Sequence, residues 1–118
     1  MQIKKISKRR DYVNISRNGR KLTTSNFIIQ YKKSQPLDVN LDEEKINIGI
    51  VASKKVGNAV ERNYVKRVIR DISKIAVREI TKCYDFVIIG KKSILKEDFK
   101  ILKVEIKKAF EKISKQKR

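Results

Sequence analysis

The spacing of apolar residues changes twice in the second half of the chain, and this pattern constrains the fold more than any other feature. After Asn58, helical spacing predicts an amphipathic helix whose buried stripe contains Val65, Val68, Ile69, Ile72, Ile75 and Ala76. The apolar run Tyr84–Gly90 then predicts a buried strand. Helical spacing returns over 97–113, with an inner face of Phe99, Leu102, Ile106, Phe110 and Ile113.

The first half of the chain predicts a short helix followed by three strands. Ser7 can cap the helix, Gly19 suits a left-handed exit from it, and Tyr12 and Ile15 mark its inner side. Strands are predicted at 21–24, 27–33 and 46–53, with a polar loop at 35–45. The resulting order is α-β-β-β-α-β-α. We therefore expect one α+β domain over 1–118, a two-layer sandwich with helices packed on a mixed four-stranded sheet.

Missing residue types exclude several classes of chemistry. The chain has no His, which removes His-based catalysis and His metal sites. Its single cysteine, Cys83, cannot form an internal disulfide and fits a reducing compartment. No apolar stretch is long enough to span a membrane, and no signal core follows the basic N-terminus. We expect a cytoplasmic protein.

The charge balance indicates a polyanionic partner. The 118 residues contain 31 Lys and Arg against 13 Asp and Glu, a net charge of +18. Such an excess destabilises a compact state through self-repulsion unless an anion neutralises it. Nucleic acid is the first candidate, and an anionic membrane surface is the second.

The positive charge is concentrated around the start of the predicted long helix. Asn63, Lys66, Arg67 and Arg70 fall within an arc of about 100° opposite the apolar stripe, with Arg62 beside it. Lys54 and Lys55 precede the helix, and Asn58 with Glu61 predicts a reciprocal capping pair. A solvated face is the alternative, but such faces mix charge signs. In the last helix Glu105 and Glu111 interrupt the lysines, which favours a solvated face there.

Aromatic residues among cations form a weaker candidate site. Tyr12, Phe27 and Tyr31 lie in sequence near Arg9, Arg10 and Arg17, an arrangement that suits stacking on unpaired bases. Packing in the core is the alternative for these aromatics. The register of the strand decides whether Phe27 and Tyr31 or Ile28 and Gln30 are exposed. The acidic residues form no evident catalytic pair, so the residues alone predict an RNA- or DNA-binding protein.

The segment KKVGNAVERNYVKRVIRD resembles the signature of the bacterial ribonuclease P protein subunit, Lys-Lys-x-Gly-Asn-Ala-Val-x-Arg-Asn-Arg-x-Lys-Arg-x-x-Arg. Matching residues are Lys54, Lys55, Gly57, Asn58, Ala59, Val60, Arg62, Asn63, Lys66, Arg67 and Arg70. The opening segment around Tyr12 and Gly19 is also similar to the family. The family shares its fold with a ribosomal protein domain and has a left-handed βαβ crossover, so the resemblance implies both here.

The resemblance implies a function. Ribonuclease P removes the 5′ leader from precursor tRNA, and its RNA subunit holds the catalytic Mg²⁺, so the protein chain itself needs no cofactor. The protein, expected to be a monomer in the holoenzyme, would contact this RNA through Lys54, Lys55, Asn58, Arg62, Asn63, Tyr64, Lys66, Arg67 and Arg70. The leader would lie in a cleft at Tyr12, Arg9, Arg17 and Gln30. A non-enzymatic RNA-binding protein, such as a ribosomal protein, is the alternative.

Two positions depart from the family pattern. Tyr64 replaces the usual second arginine, and it can stack on a base or pack against the protein. Ser16 stands where a second cleft aromatic is common. We therefore expect one phosphate contact fewer and weaker stacking on the leader.

Overall fold

A computed structural model describes residues 2–33, 45–79 and 84–115. Residues 35–44 of the predicted loop at 35–45, the acidic run within it and Cys83 lie outside the described residues, and Lys45 belongs to a strand. The strands are β1 (Gln2–Lys5), β2 (Arg20–Thr23), β3 (Phe27–Lys33), β4 (Lys45–Ala52) and β5 (Tyr84–Gly90). The helices are α1 (Arg9–Asn18), α2 (Ala59–Ala76) and α3 (Phe99–Ser114), with 3₁₀ turns at Lys54–Val56, Val77–Glu79 and Lys92–Lys96.

The strands form one mixed sheet in the order β1-β4-β5-β3-β2. Pairing is parallel between β1 and β4 and between β4 and β5, and antiparallel elsewhere. The predicted α+β class and mixed sheet are confirmed. The sheet has five strands rather than the predicted four because β1 joins the edge of β4. This strand carries one apolar residue, Ile3, so its own sequence contains no strand pattern and its pairing depends on β4.

Alternation along β3 determines which side chains enter the main core. Phe27, Ile29 and Tyr31 are buried against α2 and α3, whereas Ile28 and Gln30 are half-buried on the opposite face. The same core contains most of the predicted inner residues of α2 and α3, including Val65, Ile69, Ile72, Leu102 and Phe110. Ile75, also predicted to be in the buried stripe, is half-buried and lies outside this cluster. The core alternative is therefore confirmed for Phe27 and Tyr31, and their interpretation as a base-stacking surface is wrong.

Helix α1 packs on the face of the sheet that α2 and α3 leave open. Ile15 is buried together with Ile6 and Val87, and Tyr12 and Val51 pack against this smaller cluster. The sandwich thus has helices on both faces where α1 lies, rather than two layers throughout. In the described part of the chain, no helix combines the length and apolarity needed to cross a bilayer.

The ends of α1 differ from the sequence expectations. Lys8, not Ser7, occupies the N-cap position, and it makes no side-chain capping bond. Gly19 is extended (φ −93°) rather than left-handed. Glycine is needed there because an added Cβ would lie 2.5 Å from the carbonyl oxygens of both Ile15 and Tyr31.

Helix α3 begins at Phe99, two residues later than predicted, because the Asp98 side chain caps it by accepting from the Lys100 amide at 2.9 Å. Phe99 was predicted to be on the inner face, but it lies in the first turn and is 42% exposed. The later positions of the predicted stripe, from Leu102 to Ile113, are buried. The stripe therefore begins one turn into the helix.

Candidate nucleic-acid interface

A reciprocal capping pair positions the start of α2. Asn58 Oδ1 accepts from the Glu61 amide at 2.9 Å, and the Glu61 carboxylate accepts from the Asn58 amide at 3.0 Å, as predicted. Gly57 has a positive φ of 151°, and an added Cβ would collide with the Glu61 side chain. Val56 is buried and anchors the preceding turn. The backbone that carries Lys54 and Lys55 is therefore fixed against the first turn of the helix.

The cations of this segment share the outer side of α2 and the turn before it. Lys54, Lys55, Asn58, Asn63, Arg67 and Arg70 are exposed, and Arg62 and Lys66 are half-buried. Within the described residues, none of these cations forms an ion pair with a carboxylate. We call this surface the basic face. Its charge is uncompensated, so it attracts phosphates more strongly than a face of mixed sign would.

Tyr64 packs against the main core and also supports the basic face. Its side chain is half-buried and contacts the core cluster, as its position at the margin of the apolar stripe predicted. The Arg67 guanidinium carbon lies 5.9 Å from the centre of the Tyr64 ring, within the range of a cation–π contact. Next to this pair, a shallow groove is lined by Val60, Asn63 and Arg70. Tyr64 thus both packs on the core and contacts Arg67 of the basic face.

Tyr12 packs against the opposite face of the sheet. An added Cβ at Gly49 would lie 2.6 Å from its ring, so this glycine allows the ring to approach the strand. The Tyr12 hydroxyl donates to the Ile6 carbonyl at 3.0 Å. Burial raises the pKa of the Tyr12 hydroxyl, and a hydrogen bond with the Ile50 backbone partly offsets the rise. The hydroxyl is therefore fixed, while part of the ring stays accessible.

The predicted cleft residues share the α1 side of the sheet to different degrees. Gln30 pairs with Val87, and Val87 pairs with Gly49, so Gln30 lies in the same cross-strand row as the residue beneath Tyr12. Two strand spacings separate Gln30 from Gly49 in that row, about 10 Å. Arg9 and Arg17 are exposed near opposite ends of α1. Tyr12 and Gln30 thus lie on the same side of the sheet, and the two arginines lie at the two ends of the helix that packs on that side.

A second cationic groove was not predicted from the sequence. It lies between α2 and the β1–β4 edge of the sheet, and Lys5, Lys66, Arg70 and Lys74 line it. The spacing of four residues from Lys66 to Arg70 to Lys74 was visible, but the contribution of Lys5 depends on the unpredicted strand β1. Among the described residues, no group of three or more His, Cys, Asp or Glu side chains could hold a metal ion.

Comparisons with known proteins agree on one family. The family model for ribonuclease P matches residues 2–114. The ribonuclease P protein component of Carboxydothermus hydrogenoformans is 35% identical over 98 residues, which cover 82% of this chain and 79% of that relative. The corresponding protein of Desulforapulum autotrophicum is 34% identical over 109 residues, covering 92% and 87%.

Solved structures show the same fold. The RNase P protein from Thermotoga maritima superposes with a TM-score of 0.77 and 25% identity, covering 92% of this chain and 96% of that protein. The Staphylococcus aureus RNase P protein superposes with a TM-score of 0.73 and 26% identity, covering 94% of each chain. The match extends over both sides of the sheet, well beyond the signature segment. This chain therefore belongs to the family of bacterial ribonuclease P protein components.

Proposed function

We propose that this chain binds ribonuclease P RNA through the basic face and contacts the 5′ leader of precursor tRNA through the cleft at Tyr12. As a family member it is the protein subunit of a ribonucleoprotein endoribonuclease. In our proposal the RNA subunit holds the catalytic Mg²⁺, and one copy of this chain acts in each cytoplasmic holoenzyme. The observation that best supports this proposal is the uncompensated charge of the basic face. In the described structure, no carboxylate pairs with its cations, which are Lys54, Lys55, Arg62, Lys66, Arg67 and Arg70.

The chemistry of the two surfaces supports this division of roles. Exposed lysines and arginines on a rigid helix suit the closely spaced phosphates of a folded RNA. The cleft instead offers one partly accessible aromatic ring at Tyr12, an amide at Gln30 and flanking arginines, which suit an unpaired strand. Ser16 is exposed, so this chain has a single aromatic platform on α1.

Cleavage of a precursor tRNA at low Mg²⁺ tests the subunit role. A bacterial ribonuclease P RNA is assayed with and without this protein, and cleavage at the mature 5′ end is quantified. The protein should restore cleavage under conditions where the RNA alone is inactive. Absence of rescue, combined with tight binding to unrelated structured RNAs, would instead indicate a non-enzymatic RNA-binding protein.

The role of Tyr12 is tested by changing the leader. The Tyr12→Ala variant should weaken holoenzyme binding of a precursor tRNA with a long leader by roughly 1–3 kcal/mol, the range for loss of one stacked base. Binding of leaderless tRNA should not change. The Tyr12→Phe variant keeps the ring and is the matched control. Equal losses for both ligands would show that Tyr12 acts through folding rather than through the leader.

A further inference from the structure

The groove between α2 and the β1–β4 edge is a defined cavity on the flank of α2 that faces the sheet. Its volume is about 300 Å³, at the lower end of the range for small-molecule sites. Ile48 and Ile50 of β4 provide an apolar floor. Lys5 of the edge strand lies across the groove from the cations of α2. The cavity is thus apolar at its base and positively charged at its rim.

Ser73 is the unusual residue of this groove. It lines the cavity, is 2% exposed, and its Oγ has no hydrogen-bond partner among the described residues. Buried hydroxyls are almost always hydrogen-bonded, and a helical serine can satisfy itself by donating to the carbonyl four residues earlier. Ser73 makes no such bond. The Ser73 hydroxyl therefore lies beside the cavity as a hydrogen-bond donor that has no acceptor among the described residues.

The charges around Ser73 indicate an anionic ligand. Lys66, Arg70 and Lys74 follow one another at intervals of four residues along α2, and Lys5 faces them. Among the described residues, no carboxylate lines the groove. Neighbouring like charges on a helix repel one another, so this spacing costs free energy in the absence of a counter-charge. A phosphate would relieve that repulsion and accept the Ser73 hydrogen bond.

We infer that this groove binds a single unpaired nucleotide of an RNA. Its phosphate would lie among Lys66, Arg70, Lys74 and Ser73 Oγ, and its base or ribose would cover Ile48 and Ile50. The volume exceeds that of an inorganic phosphate, and the apolar floor gives a bare anion no favourable contact. The RNA source of the nucleotide rests on the proposed function, whereas binding of the free nucleotide does not.

Titration with adenosine 5′-monophosphate tests the site directly. The full chain is titrated by calorimetry at low salt, with inorganic phosphate as the comparison. The nucleotide should bind at least about fivefold more tightly than phosphate because its base covers apolar surface. Equal affinity for the two ligands would overturn the assignment to a nucleotide.

Two variants of the groove and one control variant separate this site from general attraction of anions. Ser73→Ala should weaken nucleotide binding about tenfold, the typical effect of losing a hydrogen bond to a charged acceptor. It should leave the melting temperature unchanged or raised, because Ser73 Oγ has no partner to lose. Lys74→Ala should weaken binding, whereas the exposed α3 variant Lys108→Ala, with the same charge change, should not. Unchanged affinity in Ser73→Ala, or equal losses in both lysine variants, would overturn the inference.

A final comparison identifies the RNA that supplies the nucleotide. Binding of wild-type protein and Ser73→Ala to ribonuclease P RNA is measured, followed by binding of precursor tRNA to each holoenzyme. The RNA whose affinity falls supplies the nucleotide, and no change for either overturns the assignment to RNA. Failure of low-Mg²⁺ rescue, with Ser73-dependent nucleotide binding intact, would remove the proposed function alone.

Discussion

Replacing Glu105 tests how α3 is attached to the sheet. Its carboxylate accepts hydrogen bonds from three donors in the β2–β3 turn: Thr24 Oγ1 at 2.5 Å, the Asn26 amide at 2.8 Å and Asn26 Nδ2 at 2.6 Å. Asn26 is 3% exposed, so water cannot replace the lost acceptor without rearrangement of the turn. The Glu105→Ala substitution therefore leaves buried donors unsatisfied, which costs more than the net value of the bonds themselves.

The size of the effect follows from these contacts. A hydrogen bond to a charged acceptor contributes about 1.5–3 kcal/mol, and an unsatisfied buried donor costs about 1–3 kcal/mol. Glu105 is half-buried, and the turn can relax after its loss, so we expect a total of about 3 kcal/mol rather than the full sum. That is a large fraction of the 5–15 kcal/mol typical of a domain. It corresponds to a fall in melting temperature of roughly 10 °C for a chain of this length.

Thermal and urea unfolding of matched variants measure this difference. Glu111→Ala is the control, because Glu111 lies on the same helix and the substitution changes the charge equally. The Glu111 carboxylate is exposed and forms an ion pair with Lys115 at 2.9 Å, and an exposed pair contributes little, so its loss should leave the melting temperature nearly unchanged. If both variants melt at the same temperature, the contacts of Glu105 with Thr24 and Asn26 do not stabilise the fold, and our reasoning is refuted.

Three further predictions concern the basic face and the cleft. Arg67→Ala should weaken binding to ribonuclease P RNA and lower the slope of log K against log salt by about one unit, whereas Lys108→Ala should leave the slope unchanged. Gly49→Ala should displace Tyr12, since its Cβ would lie 2.6 Å from the ring, and should destabilise the fold by about 1–3 kcal/mol in urea unfolding. Burial raises the pKa of the Tyr12 hydroxyl above its ordinary value of 10.0. The stabilisation that the neutral hydroxyl gives the folded state is therefore fully present below pH 10, and it is lost as pH rises through the folded-state pKa. The unfolding free energy of Tyr12→Phe should therefore fall less steeply above pH 10 than that of wild type, and a parallel fall would contradict this.

Elements with strong local signals were predicted well from the sequence. The capping pair of Asn58 and Glu61 is present, and so is the buried stripe of α2 except for Ile75, which is half-buried. Strand β5 has the predicted bounds, Tyr84–Gly90. Each of these signals lies within a few neighbouring residues, so it does not depend on what the rest of the chain does.

Features that depend on distant partners were missed. Strand β1 forms only against β4, and Gly19 is needed because the Tyr31 carbonyl, from another strand, lies beside it. Glu105 was expected to be solvated, but it reaches the turn at Asn26, 79 residues away in the chain. Spacing along one helix cannot reveal such a contact, since the helix pattern is the same whether the carboxylate meets water or a buried turn.

The residues of the candidate site also divide into those with a local sequence signal and those that depend on distant parts of the chain. The basic face was predictable because the helical wheel alone separates its cations from the core stripe. The residues of the cleft were harder to predict, because they depend on the register of the strands. Only this register shows that Phe27 and Tyr31 enter the core, whereas Gln30 shares a face with Tyr12. The groove at Ser73 requires both the register and an unpredicted strand.

The basic face can remain uncompensated because α2 is stabilised elsewhere. Glu61, the one acid between Lys54 and Arg70, is engaged in the capping pair rather than in an ion pair with Arg62 or Lys66. Burial of Val65, Ile69 and Ile72 supplies the tertiary stabilisation that a surface ion pair would add to only slightly. The helix therefore tolerates like charges at four-residue spacing on its outer side. Because none of these cations is ion-paired with a carboxylate in the described part of the chain, they remain free to attract phosphate, which is the electrostatic condition for strong and salt-dependent binding to RNA.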